Sequence, residues 1–331
     1  TGLPPGGVTV HVHAGTYTLN GPITFSPEDS GSAAAPIVYT GDDARPLLSA
    51  GRSITGWRQV GEGIWAADLP EVKAGRWYFE QLFVNGRRAT RARSPNEGFF
   101  HVDLKGGYGP EPETGKRVDL SSRSFRALRE TDLSDFAGLS GTALHDVTLT
   151  MLWNNWISTK LRVAAVDPTS RLVTLTGAPG QSTHSEFDRG IRYVVENSRA
   201  ACDAPGEWFL ERSGTLLYRP RPGEDMKTAE VVAPRWEQFV IIAGEPQAER
   251  YVEHITLRGL RFHHAACPTP PQGMPEQQSA AGVPAAIQAD GARHVSVLDC
   301  EVAHIGGYAI HFRFGCRDCT VQRCHLHDLG A

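Results

Sequence analysis

At 331 residues, with 40% hydrophobic and 21% charged side chains, the chain can bury a sizeable core, which excludes a disordered tail. Its net charge of -4 argues against the broad basic surface that nucleic-acid binding needs. No apolar run approaches the roughly 20 residues of a membrane span, so none is expected, and no signal peptide is seen at the Thr1 end.

The 35 Gly and 22 Pro are scattered rather than clustered, as suits many short strands joined by turns, and few helices are expected. The segment 8–19 begins as a strand almost at once. It is followed by Ile23 to Phe25, Pro36 to Gly41 and Leu47-Leu48, each bounded by Gly, Pro or Asp. These read as the first turns of a coiled stack of strands.

After Ile54 to Arg58 the regular spacing is lost and hairpin signals replace it. Phe83-Val-Asn-Gly-Arg87 carries an Asn-Gly pair between apolar residues, the strongest short hairpin signal. The segment 162–175 reads as strand, Asp-Pro turn, strand, and 207–218 reads the same around Ser213-Gly214. One short helix is expected over 132–139, capped by Asp132 and ended near Gly138. A separate β-rich domain is therefore expected between the first turns and the end of the chain.

From His254 onward three segments align position by position: 254–264, 294–304 and 318–328. Ile255, Val295 and Cys319 share a column, as do Leu257, Val297 and Val321, then Leu260, Cys300 and Cys324, then Phe262, Val302 and Leu326. Two period-two pairs separated by a two-residue step describe two short strands meeting at a corner, with alternate side chains facing one core. A third strand per turn is visible at 286–290 and 309–314, where Ile287 and Ile310 take equivalent inward positions. The stretch from Cys267 to Gly282, too rich in Pro and Gly for a strand or helix, is the excess length of the earlier turn and must project as a loop.

The fold class expected is thus all-β: a right-handed parallel β-helix interrupted by an inserted β-rich barrel or sandwich domain. The division expected is 1–75 for the N-terminal β-helix turns, 76–235 for the inserted domain and 236–331 for the resumed β-helix. Both ends read as cut, and more chain is expected beyond Ala331, because an uncovered end of such a stack exposes strand edges.

Beyond its pattern, the wording of the sequence resembles the right-handed parallel β-helix glycoside hydrolases of family 141 and their relatives. Gly15-Thr-Tyr17, Asp29-Ser-Gly31 and Pro36-Ile37 are similar to their first coils. Leu82-Phe-Val-Asn-Gly-Arg-Arg88 with Ala92-Arg-Ser-Pro95 resembles the entry to their inserted domain, and Tyr193-Val-Val-Glu-Asn197 with Pro205-Gly-Glu-Trp208 its exit. Pro270-Pro-Gln-Gly273, Gln277-Gln-Ser-Ala280, Pro284-Ala285 and Cys300 to Tyr308 resemble the coils and loop that follow. The resemblance implies a secreted, periplasmic or cell-surface enzyme acting on plant or microbial polysaccharides, including fucose- or xylose-containing ones. It also implies paired catalytic carboxylates on coils beyond Ala331, and a substrate lying across a sheet of short strands. The motifs specify architecture better than activity, because one scaffold hosts hydrolases, lyases and proteins without activity.

On the third-strand face, alternation sends Gln288, His311 and Arg313 outward, with His304 and Tyr308 just before them in the chain. Planar donors and an aromatic edge of this kind suit sugar hydroxyls and ring faces, although a solvated outer face would look the same. Glu276, Gln277 and Gln278, in the projecting loop, are placed to wall a cleft there. Asp328 is the one acid nominated for catalysis; equally it caps a turn. Asp299 and Glu301 read as solvated.

Cys316, Cys319, Cys324, His325 and His327 have spacings that suggest a metal site, but Cys319 and Cys324, like Cys300, fall in columns otherwise filled by Leu, Ile and Val, so they read as core. No metal and no cofactor is expected. The expected partner is a carbohydrate, with no nucleic acid; the rival readings are a polysaccharide lyase and a non-catalytic carbohydrate-binding or adhesion β-helix.

Overall fold

The computed structural model describes residues 2–153, 157–180, 186–275 and 282–331. The regular structure of the chain is mostly strand, and three of its sheets, of four or five strands each, are wholly parallel, as is one two-stranded pair. In the first, Ile255–Arg258, Ser296–Leu298 and Thr320–Gln322 pair in the register of the sequence alignment, with Leu257 against Val297 and Val297 against Val321. Ile37–Gly41 and Val8–Val12 continue it. The second runs Thr16–Thr18, Leu47–Ser49, Arg261–His263, Glu301–Ala303 and His325–His327, and places Phe262, Val302 and Leu326 side by side. The third runs Ile23–Phe25, Val240–Ala243, Ala285–Asp290 and Tyr308–Phe312, with Ile287 against Ile310.

Each circuit of the chain therefore adds one strand to each sheet. Alternate residues turn inward and fill one column, in which Phe262, Val302, Ile255, Leu257, Val297 and Ile287 are all buried. Val321 and Leu326, in the same columns on the last circuit, are 43% and 40% exposed.

The corners explain the polar columns of the repeat. His254, His294 and Asp318 (φ 53, 52 and 53°) precede the first-sheet strands. Gly259, Asp299 and Arg323 (63, 56 and 53°) separate first from second, and His264, His304 and Asp328 (71, 56 and 47°) end the second. One left-handed residue turns the chain sharply and leaves the inward alternation on either side intact; Gly, Asp and His adopt that conformation more readily than most residues. Arg323 is held there by a bidentate pair with Asp299, at 2.6 and 2.8 Å.

The second circuit is interrupted. Its third-sheet strand is Val240–Ala243, so between Ser49 and Val240 the chain leaves the stack and returns. Antiparallel pairing begins where Gly51–Ser53 meets Val231–Pro234, which also pairs with Phe83–Val84. A five-stranded sheet contains Thr90–Arg91, Glu207–Leu210, Thr215–Tyr218, Ile64–Asp68 and Arg58–Gly61. Beside these, Phe100–Lys105, Ser124–Ala127, Thr148–Leu152, Ser158–Asp167, Leu172–Leu175 and Arg192–Glu196 close into a six-stranded antiparallel barrel around Phe125, Leu149, Val163 and Tyr193.

All three expected hairpins form, around Asn85-Gly86, 168–171 and 211–214. The expected helix does not. Glu130–Phe136 is a 3-10 segment, in which Asp132 accepts a bond from the Arg129 amide at 3.1 Å, one turn inside the start; Gly138 at φ 74° stops any continuation.

Candidate functional site

The residues nominated from sequence separate into three groups. Gln288 and His311 are neighbours across adjacent strands of the third sheet, and the Tyr308 ring lies 6.1 Å from that of His311. Arg313, exposed at the end of its strand, pairs with Asp290 at 3.3 Å. His304 is elsewhere: its ring lies 5.1 Å from Phe83 and stacks 5.7 Å from His264. No ring contact or hydrogen bond joins it to Tyr308 or His311 among the described residues, because its left-handed corner turns it towards the inserted part. Glu276, Gln277 and Gln278 lie outside the described residues.

Asp328 is a corner residue whose carboxylate is fully engaged. It accepts from Arg88 Nε at 2.8 Å and bonds His304 Nδ1 at 2.7 Å. Burial pushes its pKa up, but these two partners outweigh it and hold the carboxyl below the usual range. Glu301, read from sequence as solvated, is also engaged: one oxygen faces His263 Nε2 at 3.0 Å and His327 Nε2 at 3.3 Å. The sulfurs of Cys316, Cys319 and Cys324 donate to carbonyls of the preceding circuit at 3.3 to 3.4 Å and pack against the stack core. Among the described residues no group of three His, Cys, Asp or Glu is arranged to hold a metal ion.

A polar concavity lies where the second-to-third-sheet corner meets the inserted part, not over the third-sheet face. It is a cavity of about 490 Å³, and none of Gln288, Tyr308, His311 and Arg313 lines it. The Asn85-Gly86 turn (φ 49 and 68°) builds one wall, because the hairpin it closes drives Arg88 into the corner. There Arg88 binds Asp328 and donates to the carbonyls of Ile305 and Asp328 at 2.8 Å, with its guanidinium over the Phe83 ring. Barrel strands supply Thr150, Lys160 and Glu196, and the projecting loop supplies Thr269 and Met274. That loop is tied to the barrel by Met274 N donating to Lys160 O at 2.7 Å.

At the centre is Glu80, fully buried. Arg162 donates to it at 2.8 Å and Thr269 Oγ1 at 2.6 Å, while Arg91 lies at 3.6 Å and Lys160 at 3.9 Å. Burial alone would raise its pKa; the three cations and the hydroxyl outweigh it and hold the carboxyl at about 2. Lys160 also reaches Glu196 at 3.2 Å, and Thr150 Oγ1 donates to Glu196 at 3.0 Å. Burial opposes ionisation there too, but Lys160 and Arg91 lower the pKa. Since both carboxylates reach one ammonium, at 3.9 and 3.2 Å, their nearest oxygens are no more than about 7 Å apart.

A solved structure named "Glycoside hydrolase" shares this architecture. It superimposes with a TM-score of 0.79 at 21% identity, covering 97% of this chain and 58% of its own length. At that identity the likeness shows the fold alone. A complex of XylC with xylose aligns at a TM-score of 0.37 and 14% identity, over 91% of this chain and 36% of its own, and carries no weight. No family model and no curated protein matches the chain.

None of the cavity residues was nominated from sequence. Glu80, Arg91, Lys160, Glu196 and Thr269 come from four distant stretches, and no local spacing links them. Only the Asn-Gly turn and the loop pointed to the walls. Across the loop, Glu237 behaves oppositely to the cavity carboxylates: desolvation raises its pKa, with no cation to offset it.

Proposed function

We propose that this chain belongs to a carbohydrate-active enzyme, a glycoside hydrolase of the secreted or cell-surface kind, built on a right-handed parallel β-helix with an inserted β domain. The observation that carries the reading is the cavity between stack and insertion, where two carboxylates share Lys160 and are ringed by guanidinium and hydroxyl groups that suit sugar oxygens. The likeness in fold to a structure named glycoside hydrolase agrees with it, as do the sequence phrases similar to family 141, whose relatives suggest a plant or microbial polysaccharide, with fucose or xylose as candidate sugars.

Within this reading Glu196, ionised and 20% exposed, is fitted to act as a base or nucleophile and unfitted to donate a proton. Glu80, walled in by three cations, positions Lys160 and the loop. The third-sheet residues Gln288, His311 and Arg313 would offer a second sugar-binding surface outside the cavity.

The test is incubation of the chain with a panel of polysaccharides, reading release of reducing ends and the linkage of the products. Products with an unsaturated, ultraviolet-absorbing sugar would replace hydrolysis by a lyase reaction. A second reading, binding without turnover, is favoured by the ionised state of both cavity carboxylates, since neither supplies an acid. Glycan binding with no new reducing ends would establish it.

A further inference from the structure

We propose that the cavity selects a glycan carrying an anionic group, a carboxylate or sulfate, and that Arg93 is the residue that meets it. The inference rests on the sugar-binding reading above and narrows it to a substrate class.

The argument is one of charge left over. The cavity is lined by Arg88, Arg91, Arg93 and Lys160 against only Glu80 and Glu196. Arg88 is satisfied by Asp328. Lys160 is satisfied by Glu196 and Glu80, and Arg91 shares Glu80 with Arg162, which also lies 4.0 Å from Asp146. Asp146 is in turn taken up bidentately by Arg212, at 2.8 Å to each oxygen. Following every pair to its end, the cations of this network outnumber its carboxylates, and Arg93 remains over. Its side chain makes no ion pair or hydrogen bond among the described residues, and its Nε is buried without a partner. The Nε of Arg91, a side chain only 4% exposed, is buried and unpartnered as well.

Buried guanidinium donors left unmade cost free energy, and a planar fork that keeps its donors free matches a carboxylate or sulfate in geometry and charge. A neutral sugar offers hydroxyls to the same donors but leaves the excess charge in place. The anion would also complete the local balance that Glu80 and Glu196 leave short.

The matched probes are trigalacturonate and its carboxyl-reduced counterpart, trigalactose, with a sulfated galactose trimer as third arm, each titrated into the full chain by calorimetry at low and high salt. The expected result is that an acidic trimer binds at least about tenfold more tightly than trigalactose, with an advantage that shrinks as salt rises. The carboxylated and sulfated arms tell which anion is preferred. Arg93→Gln should abolish the advantage of the acidic trimers over trigalactose, and Arg93→Lys should retain part of it. Equal binding of all three trimers overturns the anionic preference and leaves the carbohydrate reading standing. An advantage that survives Arg93→Gln overturns the role of Arg93. Binding of none removes both this inference and the sugar-binding reading for this cavity.

Discussion

In the parallel stack, polar groups stand in columns: His264, His304 and Asp328 occupy one corner on successive circuits, a strand spacing apart. In the inserted part they converge instead from far along the chain, with Glu80 meeting Arg91, Lys160, Arg162 and Thr269 in one buried knot. The stack repeats a local rule, so a change on one circuit has a counterpart on the next. The knot has no counterpart, and each member depends on the others.

The largest expected effect breaks the knot. Glu80→Ala leaves three cations facing a space with no anion, and removing one partner of a buried charge network costs about 3–5 kcal/mol. Urea unfolding should show that loss, and added chloride should restore part of it. Phe262→Ala, in the stack core, should cost a similar 3–5 kcal/mol or so by cavity formation, with no dependence on salt. Equal salt sensitivity of the two variants would erase the distinction between the regions.

Acid should separate them next. His263 and His264 are buried and held neutral, with pKa values lowered from 6.5 to about 4 and about 3, first by burial and then by the neighbouring imidazoles. The unfolded chain therefore binds protons that the folded chain refuses as pH falls below 6.5, and stability drops from there towards pH 4. Each refused proton steepens the fall by about 1.4 kcal/mol per pH unit. For Glu80 the folded pKa is also lowered, to about 2, so its contribution is present above 4.5 and lost between 4.5 and 2. Hydrogen exchange followed against pH should thus loosen the second sheet before the insertion. His264→Asn, which keeps a residue tolerant of φ 71°, should flatten the first phase. A single transition below pH 4.5 would contradict the assignment.

The same contrast accounts for what could be read from sequence. Ile255, Leu257, Leu260 and Phe262 announce their register because strand periodicity is local and the alignment repeats it three times. The partner of Ile23–Phe25 could not be read, since it arrives as Val240–Ala243 only after the whole insertion. Asp328 was visible as a column member, but its engagement by Arg88 was not, because Arg88 belongs to a hairpin 240 residues away. Glu80 gave no signal at all: one acid between Phe79 and Gln81 acquires its character only from cations brought by the barrel and the loop. Polar columns in a repeat reveal where the backbone turns, whereas a site assembled across an insertion is written in no segment.

Within the stack, Val297→Ala and Val321→Ala test whether a column's energy follows burial. Val297 is fully buried and should cost about 2 kcal/mol; Val321, 43% exposed, should change stability by no more than about 0.5 kcal/mol.

The smallest effect concerns the corners themselves. His294 is exposed, sits at φ 52°, and stacks on His254 with ring centroids 4.7 Å apart. His294→Val places a β-branched residue where the left-handed backbone crowds Cβ, at a cost of roughly 1–2 kcal/mol, while His294→Gly removes that crowding and should lie within about 0.5 kcal/mol of the native chain, since glycine's added backbone freedom when unfolded offsets the relief. Thermal unfolding of the two variants measures the difference. If Val and Gly destabilise alike, the stacked imidazoles rather than the backbone turn hold the corner, and the histidine columns would have to be explained by side-chain contact. If Val alone destabilises, the corner is a backbone device that any residue tolerant of positive φ can fill, which is what the exchange of His for Asp at position 318 already implies.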